Sequence, residues 1–217
     1  VATSDGRVTF ADGSQSPRFD LVIDALGVRS PLSRGTPLPP LQFGALWCNV
    51  DWPSGASATP FDWNALEQRY RAARKMVGVL PVGSMQPGAP RQAAFFWSLR
   101  HADLDAWRTA SLDAWKDEAL RLWPETAPLL SQIVDREQLI FAAYCHGTLS
   151  SPIRDSLAHV GDTWHSASPQ LGQGANMALL DALALSRALA ANREIGAALE
   201  AYRRARLTHI RLYQLAS

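Results

Sequence analysis

The sequence predicts an α/β fold in which a sheet-plus-helix layer is inserted into a second α/β unit. Three observations predict it. Residues 19–26 form an aliphatic run without strict alternation, which suits a strand buried on both faces of a sheet. Residues 41–144 mix strand-like runs with helical apolar spacing. Residues 157–160 then read as a strand that delivers a Gly-Asp pair to a loop, followed by a long Ala/Leu-rich helix. With 217 residues, 47% hydrophobic and 19% charged, the chain can bury a core, and general disorder is excluded. A formal net charge of +1 argues against binding nucleic acid by bulk charge. No stretch reaches the roughly 18 apolar residues of a membrane span. Cys48 and Cys145 are isolated, so neither a disulfide framework nor a Cys-x-x-Cys metal site is expected. Nothing at the start reads as a signal peptide, and a reducing cytoplasm is the expected location. A chain that begins at Val1 rather than methionine fits processing, a tag or a piece of a longer protein.

Along the chain, Asp5-Gly6 and Asp12-Gly13 are turn dipeptides. Between them Val8 and Phe10 alternate with Arg7 and Thr9, which predicts β structure. The aliphatic run ends at Gly27, and Pro31, Pro37, Pro39 and Pro40 mark an exit loop. Residues 41–52 read as a strand and 53–60 as a turn-rich break. Asp62 is placed to cap a helix over 62–74, with Leu66 and Tyr70 four apart. Strands follow at 75–82 and 92–99. Residues 103–123 predict one helix carrying Leu104, Trp107, Leu112, Trp115 and Leu122, and Pro124 opens another at its first turn. Residues 139–144 close this layer as a strand. The helix starting near Asn176 is apolar nearly all round from Met177 to Leu189, the pattern of a buried helix, and ends at Asn192. A last helix carries Leu199, Tyr202, Ala205 and Ile210. Six arginines in residues 185–217, against Glu194 and Glu200, read as a solvated basic face. The expected domain limits are 1–35, 36–156, 157–191 and 192–217.

The segment that carries chemistry is 161–176. A strand brings the Asp162 carboxylate to its C-terminal end, where open α/β sheets bind ligands. Gly172 and Gly174 allow the backbone to approach a planar or anionic ligand. The N–H groups at the helix start favour negative charge. A hydroxyl acceptor and an anion-stabilising helix end, about ten residues apart, suit a flavin with its ribityl chain.

This segment resembles the GD motif of the FAD-dependent aromatic hydroxylase family, related to para-hydroxybenzoate hydroxylase, written roughly G-D-A-x-H-x-x-x-P-x-x-G-Q-G-x-N. The chain matches at Gly161, Asp162, His165, Pro169, Gly172, Gln173, Gly174 and Asn176, with Thr163 where alanine is usual. The resemblance implies that Asp162 hydrogen-bonds the ribityl hydroxyls. It also implies that Gly161, Pro169, Gly172, Gln173, Gly174, Ala175 and Asn176 shape the FAD site, the 172–176 turn lying against the pyrimidine side of the isoalloxazine. Residues 20–30, Asp-Leu-Val-Ile-Asp-Ala-Leu-Gly-Val-Arg-Ser, resemble the family's second motif, D-L-V-V-G-A-D-G-x-x-S-x-x-R. Leu26 replaces the motif's aspartate, Ser33 stands at its arginine, and Arg34 comes one step late. That motif is linked to both FAD and NAD(P)H handling in the family, so these departures bear on the pyridine-nucleotide step more than on the fold. About 130 residues separate the two motifs, in the family's order, so the resemblance spans nearly the whole chain.

The family's opening G-x-G-x-x-G turn occurs nowhere in the sequence; Gly83 and Gly88 have the wrong spacing. The resemblance therefore implies the C-terminal part of a Rossmann-like FAD-binding domain, interrupted by a substrate domain, from an FAD-dependent monooxygenase. Such an enzyme takes electrons from NAD(P)H and hydroxylates a small aromatic substrate through a flavin C4a-hydroperoxide. Related flavin-dependent reductases and halogenases share the GD motif. The alternative from another class is a non-catalytic binding or assembly domain, and the isolated chain is expected to be inactive.

No catalytic side chain stands out, because in this chemistry the cofactor activates oxygen. His165 reads as structural to its loop. Cys145 and His146 are strand neighbours that point to opposite faces. Ser166 and Ser168 lack the glycine frame of a serine hydrolase. His101 and His159 have no metal-like partners, so no metal is expected. By the resemblance, Trp47 and Trp97 fall on strands whose sheet faces the flavin, and they are expected to line the substrate pocket. Apolar surface around 19–26 and 177–189 is expected to drive self-association or partner binding.

Overall fold

The computed structural model describes residues 2–33, 38–53 and 60–217; Arg34, Pro37 and most of the 53–60 break lie outside the described residues. The chain divides into two compact units, Val1–Pro40 with Tyr144–Ser217, and Leu41–Ala143. The first unit begins with β1 (Ala2–Ser4) and β2 (Arg7–Thr9), an antiparallel hairpin in register Ala2↔Thr9. Its turn residues Asp5 and Gly6 both have positive φ, 49° and 73°, the mirror-image turn that matches strand twist. β3 (Val22–Asp24) follows.

The second unit is built on β4 (Pro40–Asp51), β5 (Glu67–Arg71), β6 (Lys75–Gly83), β7 (Gln92–Arg100) and β8 (Ile140–Cys145), in sheet order β5-β6-β7-β4-β8. Alternate residues of these strands are buried: Leu46, Cys48 and Val50, then Val77 and Val79, then Phe95, Trp97 and Leu99. They pack with residues of α1 (Leu104–Thr109), α2 (Leu112–Leu122) and α3 (Ala127–Leu130) in one core. Trp115 is its centre, edge-on to Phe95, Trp97 and Trp107 at centroid distances of 6.1, 6.2 and 6.2 Å.

Three expectations are corrected here. Residues 62–74 are not a helix but a turn followed by β5, which pairs with β6 in register Tyr70↔Met76. Leu66 and Tyr70, the two residues that suggested a helical face, are both exposed, and the Asp62 carboxylate accepts the Asn64 N–H (2.8 Å) in a local turn. Residues 103–123 form two helices, because Ser111 accepts the Ala114 N–H (3.2 Å) and starts α2 anew. Trp97 is a core residue, 1% exposed. Register shows why it cannot share a pocket with Trp47: Trp97 sits opposite Leu46, whereas Trp47 sits opposite Phe96, so the two indoles occupy opposite faces of the sheet.

The chain then returns to the first unit with β9 (Gly147–Thr148), β10 (Ile153–Arg154), β11 (Leu157–His159), β12 (His165–Ser166), α4 (Gly174–Ala191) and α5 (Ile195–Ala216). β11 lies between β10 and β3 and runs parallel to β3. A second core joins Trp164, Met177, Leu185, Leu199, Tyr202 and Ile210. The expectation of a wholly buried helix is also corrected: only the stripe Met177, Asp181, Leu185, Ala188 of α4 is buried, while Leu179 and Leu183 are 70% and 46% exposed. On α5 the buried position is Arg206 rather than Ala205. No described helix is long and apolar enough to cross a membrane.

Removing the Trp97 indole leaves a cavity against Trp115, so Trp97→Ala should cost about 3–5 kcal/mol of stability in denaturant titration. A loss under about 1 kcal/mol, the range of surface changes, would contradict its core position.

Candidate functional site

The site grows from the parallel pair β11 and β3, in register His159↔Asp24. Asp24, 1% exposed, accepts three donors: the Leu26 N–H on Oδ1 (3.1 Å), and the Ser30 hydroxyl (2.6 Å) and His159 Nδ1 (2.8 Å) on Oδ2. These bonds shape the loop after β3 and tie it to the strand that carries the Gly-Asp pair. The Tyr202 hydroxyl donates to the His159 carbonyl (2.9 Å), fastening α5 to the same strand. Burial, and then the Asp181 charge, push that hydroxyl well above its ordinary pKa, so it remains a donor.

Beyond β11 the backbone turns at Gly161, which has φ +61° and lies so close to α4 that a Cβ would sit 3.0 Å from the Ala178 Cβ. Glycine is required there both by conformation and by space. The Gly161 N–H donates to Asp181 Oδ2 on α4 (2.8 Å). His165 Nε2 meets the same oxygen at 2.5 Å, and Arg206 Nε donates to Oδ1 at 2.7 Å. Asp181 is fully buried, with donors arriving from the turn, from β12 and from α5. Burial pushes its carboxyl up, but the hydrogen bonds from His165 and Arg206, the attraction of the His165 ring and the Gly161 N–H outweigh that. The carboxyl is held below its ordinary value. Thr163 locks the other side of the turn, accepting the Gly27 N–H (2.9 Å) and donating to the Gly27 carbonyl (3.2 Å).

Two features are left facing outward. Asp162 is exposed and accepts no hydrogen bond from the described residues. Residues 171–176 are exposed as well, and α4 starts after Gln173 with no side-chain cap and no acidic residue in its first turn. The N–H groups of Gly174, Ala175 and Asn176 are therefore open at the positive end of an 18-residue helix. Gly172 has φ +61°, and a Cβ on Gly172 or Gly174 would meet nothing within 4 Å. Asn176 Nδ2 donates to Gln173 Oε1 (2.8 Å), and Pro169 receives the Gly172 N–H on its carbonyl (2.9 Å). All the predicted GD-motif residues thus lie on one turn-and-helix-start assembly of the first unit. Trp47 and Trp97 belong to the other unit.

Reading by sequence missed Asp181 and Arg206. Both look like ordinary members of apolar or basic helices; the only available signal was a carboxylate inside an Ala/Leu-rich run, since such a residue must find partners when buried. It also left Asp24 unassigned. At the second motif the carboxylate stands at 24 and an exposed leucine, 63% accessible, at 26.

The fold and this turn define a flavoprotein of the FAD-binding class. A family model described as FAD binding domain matches residues 48–213, and the chain belongs to that family. No curated protein matches the chain. Among solved structures, it is similar to Klebsiella pneumoniae HpxO in complex with FAD and uric acid, with TM-score 0.73 and 24% identity over 99% of this chain and 54% of that one. It is similar to Pseudomonas aeruginosa PqsL in complex with 2-aminobenzoylacetate, with TM-score 0.74 and 19% identity over 95% and 56%. The tetrameric form of 2-methyl-3-hydroxypyridine-5-carboxylic acid oxygenase matches with TM-score 0.70 and 22% identity over 94% and 54%. The chain spans little more than half the length of each of these structures.

Because the Asp181 carboxyl is lowered on folding, its contribution to stability is present above about pH 4 and is lost as pH falls through its folded value. Denaturation midpoints against pH should therefore fall more steeply below about pH 4 for wild type than for Asp181→Asn, which has no such proton to bind. A difference that instead develops between about pH 5 and 8 would assign the effect to a histidine.

Proposed function

We propose that this chain supplies the ribityl and isoalloxazine side of the FAD site of a monooxygenase that hydroxylates a small aromatic substrate. The observation that carries the reading is the pairing of an exposed, unengaged Asp162 carboxylate with the uncapped start of α4, the turn at Gly161 being bonded to that same helix through Asp181. The donor set fits the group. Asp162 accepts hydroxyls, and the open N–H groups of Gly174, Ala175 and Asn176 favour the electron-rich edge of a flavin. Gly161, Pro169, Gly172 and Gln173 shape the turn between them. When bound, FAD would supply the redox and oxygen-activating chemistry; the protein's part is to orient it, exclude water and stabilise charge. NAD(P)H is the proposed electron donor. Trp47, on the sheet face opposite the aromatic core, is the one of the two predicted tryptophans retained for substrate lining. The substrate class is proposed by analogy with the aromatic ligands of PqsL and HpxO.

The adenosine half of FAD has no Gly-x-Gly-x-x-Gly turn to rest on in this sequence, and the chain spans about half the length of similar structures. We therefore read it as the C-terminal part of a longer cytoplasmic enzyme, inactive alone. The free thiols Cys48 and Cys145 suit a reducing compartment. A second reading, a non-catalytic binding or assembly unit, is favoured by the exposed apolar residues Ile23, Leu26, Leu179 and Leu183.

A charged acceptor bonded to a hydroxyl contributes roughly 1.5–3 kcal/mol. In the full-length protein, Asp162→Ala should thus raise the FAD dissociation constant about tenfold to a hundredfold in fluorescence titration. Equal affinity would sink the ribityl assignment. The purified 217-residue chain should be colourless, and a stoichiometric yellow protein would show that it holds FAD unaided.

The exposed apolar residues should make the concentrated chain associate in light scattering, and Leu179→Glu with Leu183→Glu should reduce that association. A strictly monomeric wild type would contradict this use of the surface.

A further inference from the structure

We propose that Asp181 is a positioning residue for the cofactor. Its carboxylate clamps the turn at Gly161 and Asp162 to the first turns of α4, and so fixes the distance between the hydroxyl acceptor and the open helix start. This inference rests on the flavin reading above.

Packing alone does not account for a carboxylate at this place. Taking an ion out of water costs several kcal/mol, and an apolar residue of similar size would fill the same space without that cost. What a leucine could not do is gather three directed donors. The two oxygens divide the work. Oδ2 takes the Gly161 N–H and His165 Nε2, which belong to the turn and to β12. Oδ1 takes Arg206 Nε from α5. The rest of the guanidinium is used too: Nη2 reaches the Met177 carbonyl (3.4 Å) and sulfur (3.7 Å) on α4, and Nη1 meets His209 Nδ1 (2.8 Å). Asp181 lies seven residues, about two turns, beyond Gly174, on the buried stripe that begins at Met177. A bond from Gly161 to this point holds the residue next to Asp162 against the helix whose start would face the isoalloxazine. Without it, nothing else among the described residues bonds the Gly161 N–H.

The division of oxygens makes the two arms separable. In Asp181→Asn the one remaining oxygen stays with the charged Arg206 donor, the stronger of the two partners, and the NH2 then faces the Gly161 N–H, so the Gly161 arm is broken. Arg206→Met removes the α5 arm and leaves Gly161 and His165 on the carboxylate. Amide exchange at Gly161 in the 217-residue chain, read without any cofactor, should be about tenfold faster in Asp181→Asn and close to wild type in Arg206→Met. In the full-length protein the FAD dissociation constant should rise about tenfold to a hundredfold in Asp181→Asn, measured where circular dichroism shows the variant folded. A lowered melting temperature with unchanged FAD affinity would reduce Asp181 to a stability residue and overturn the proposal. Should Asp181→Asn fail to fold, His165→Leu and His165→Gln carry the test. Leucine should speed exchange at Gly161 and weaken FAD binding, and glutamine, which keeps a donor near the Nε2 position, should restore both; no difference between them overturns the clamp. A wild-type full-length protein that binds no FAD would overturn the flavin reading, while the exchange arm still decides whether Asp181 holds the turn.

Discussion

In the first unit, the arrangement of the candidate site depends on one carboxylate that has no access to water. Asp181 would be costly to bury alone, and it is tolerated because Gly161, His165 and Arg206 bring donors from three different elements to its two oxygens. Gly161 and His165 precede Asp181 by 20 and 16 residues and Arg206 follows it by 25, so the bonds form only when the turn, β12, α4 and α5 are all in place. The interaction is therefore directional where apolar contacts are not. The core around Trp164, Met177 and Tyr202 could slide by a fraction of a side chain at modest cost, whereas a donor moved by an ångström loses its bond.

A second buried carboxylate does a related task one strand away. Asp24 holds the loop after β3 through the Leu26 N–H and the Ser30 hydroxyl, and joins it to β11 through His159. The carboxylate is buried, and two positions on, Leu26 is exposed. The loop keeps its shape because the carboxylate's partners are backbone and neighbouring side chains. Its outer surface carries the apolar side chain of Leu26.

The Leu41–Ala143 unit needs no polar hub. Its order comes from period-2 burial along β4, β6 and β7, and from indoles packed edge-on around Trp115. The strand on which Trp97 lies does not by itself place its indole, because a strand has two faces and the choice between them belongs to register. Pairing Trp97 with Leu46 sent it into the core, and pairing Trp47 with Phe96 sent that residue to the other face.

The sequence by itself determined the α/β class, the turn at Gly161 and the helix start near Asn176, but it set the return to the first unit at residue 157, whereas the chain rejoins that unit at Tyr144. Glycines, a carboxylate and a helix start at close spacing act locally, so their pattern survives without knowledge of the fold. It misjudged 62–74, where an i, i+4 pair mimicked a helical face that hairpin pairing overrode. It also could not tell how much of α4 would be covered, since burial depends on which neighbours arrive. Only the tertiary structure decided that Asp181 and Arg206, 25 residues apart on two helices, would meet beneath Gly161. That decision is invisible in a linear pattern, because a buried ion pair is defined by what surrounds it and not by its own spacing.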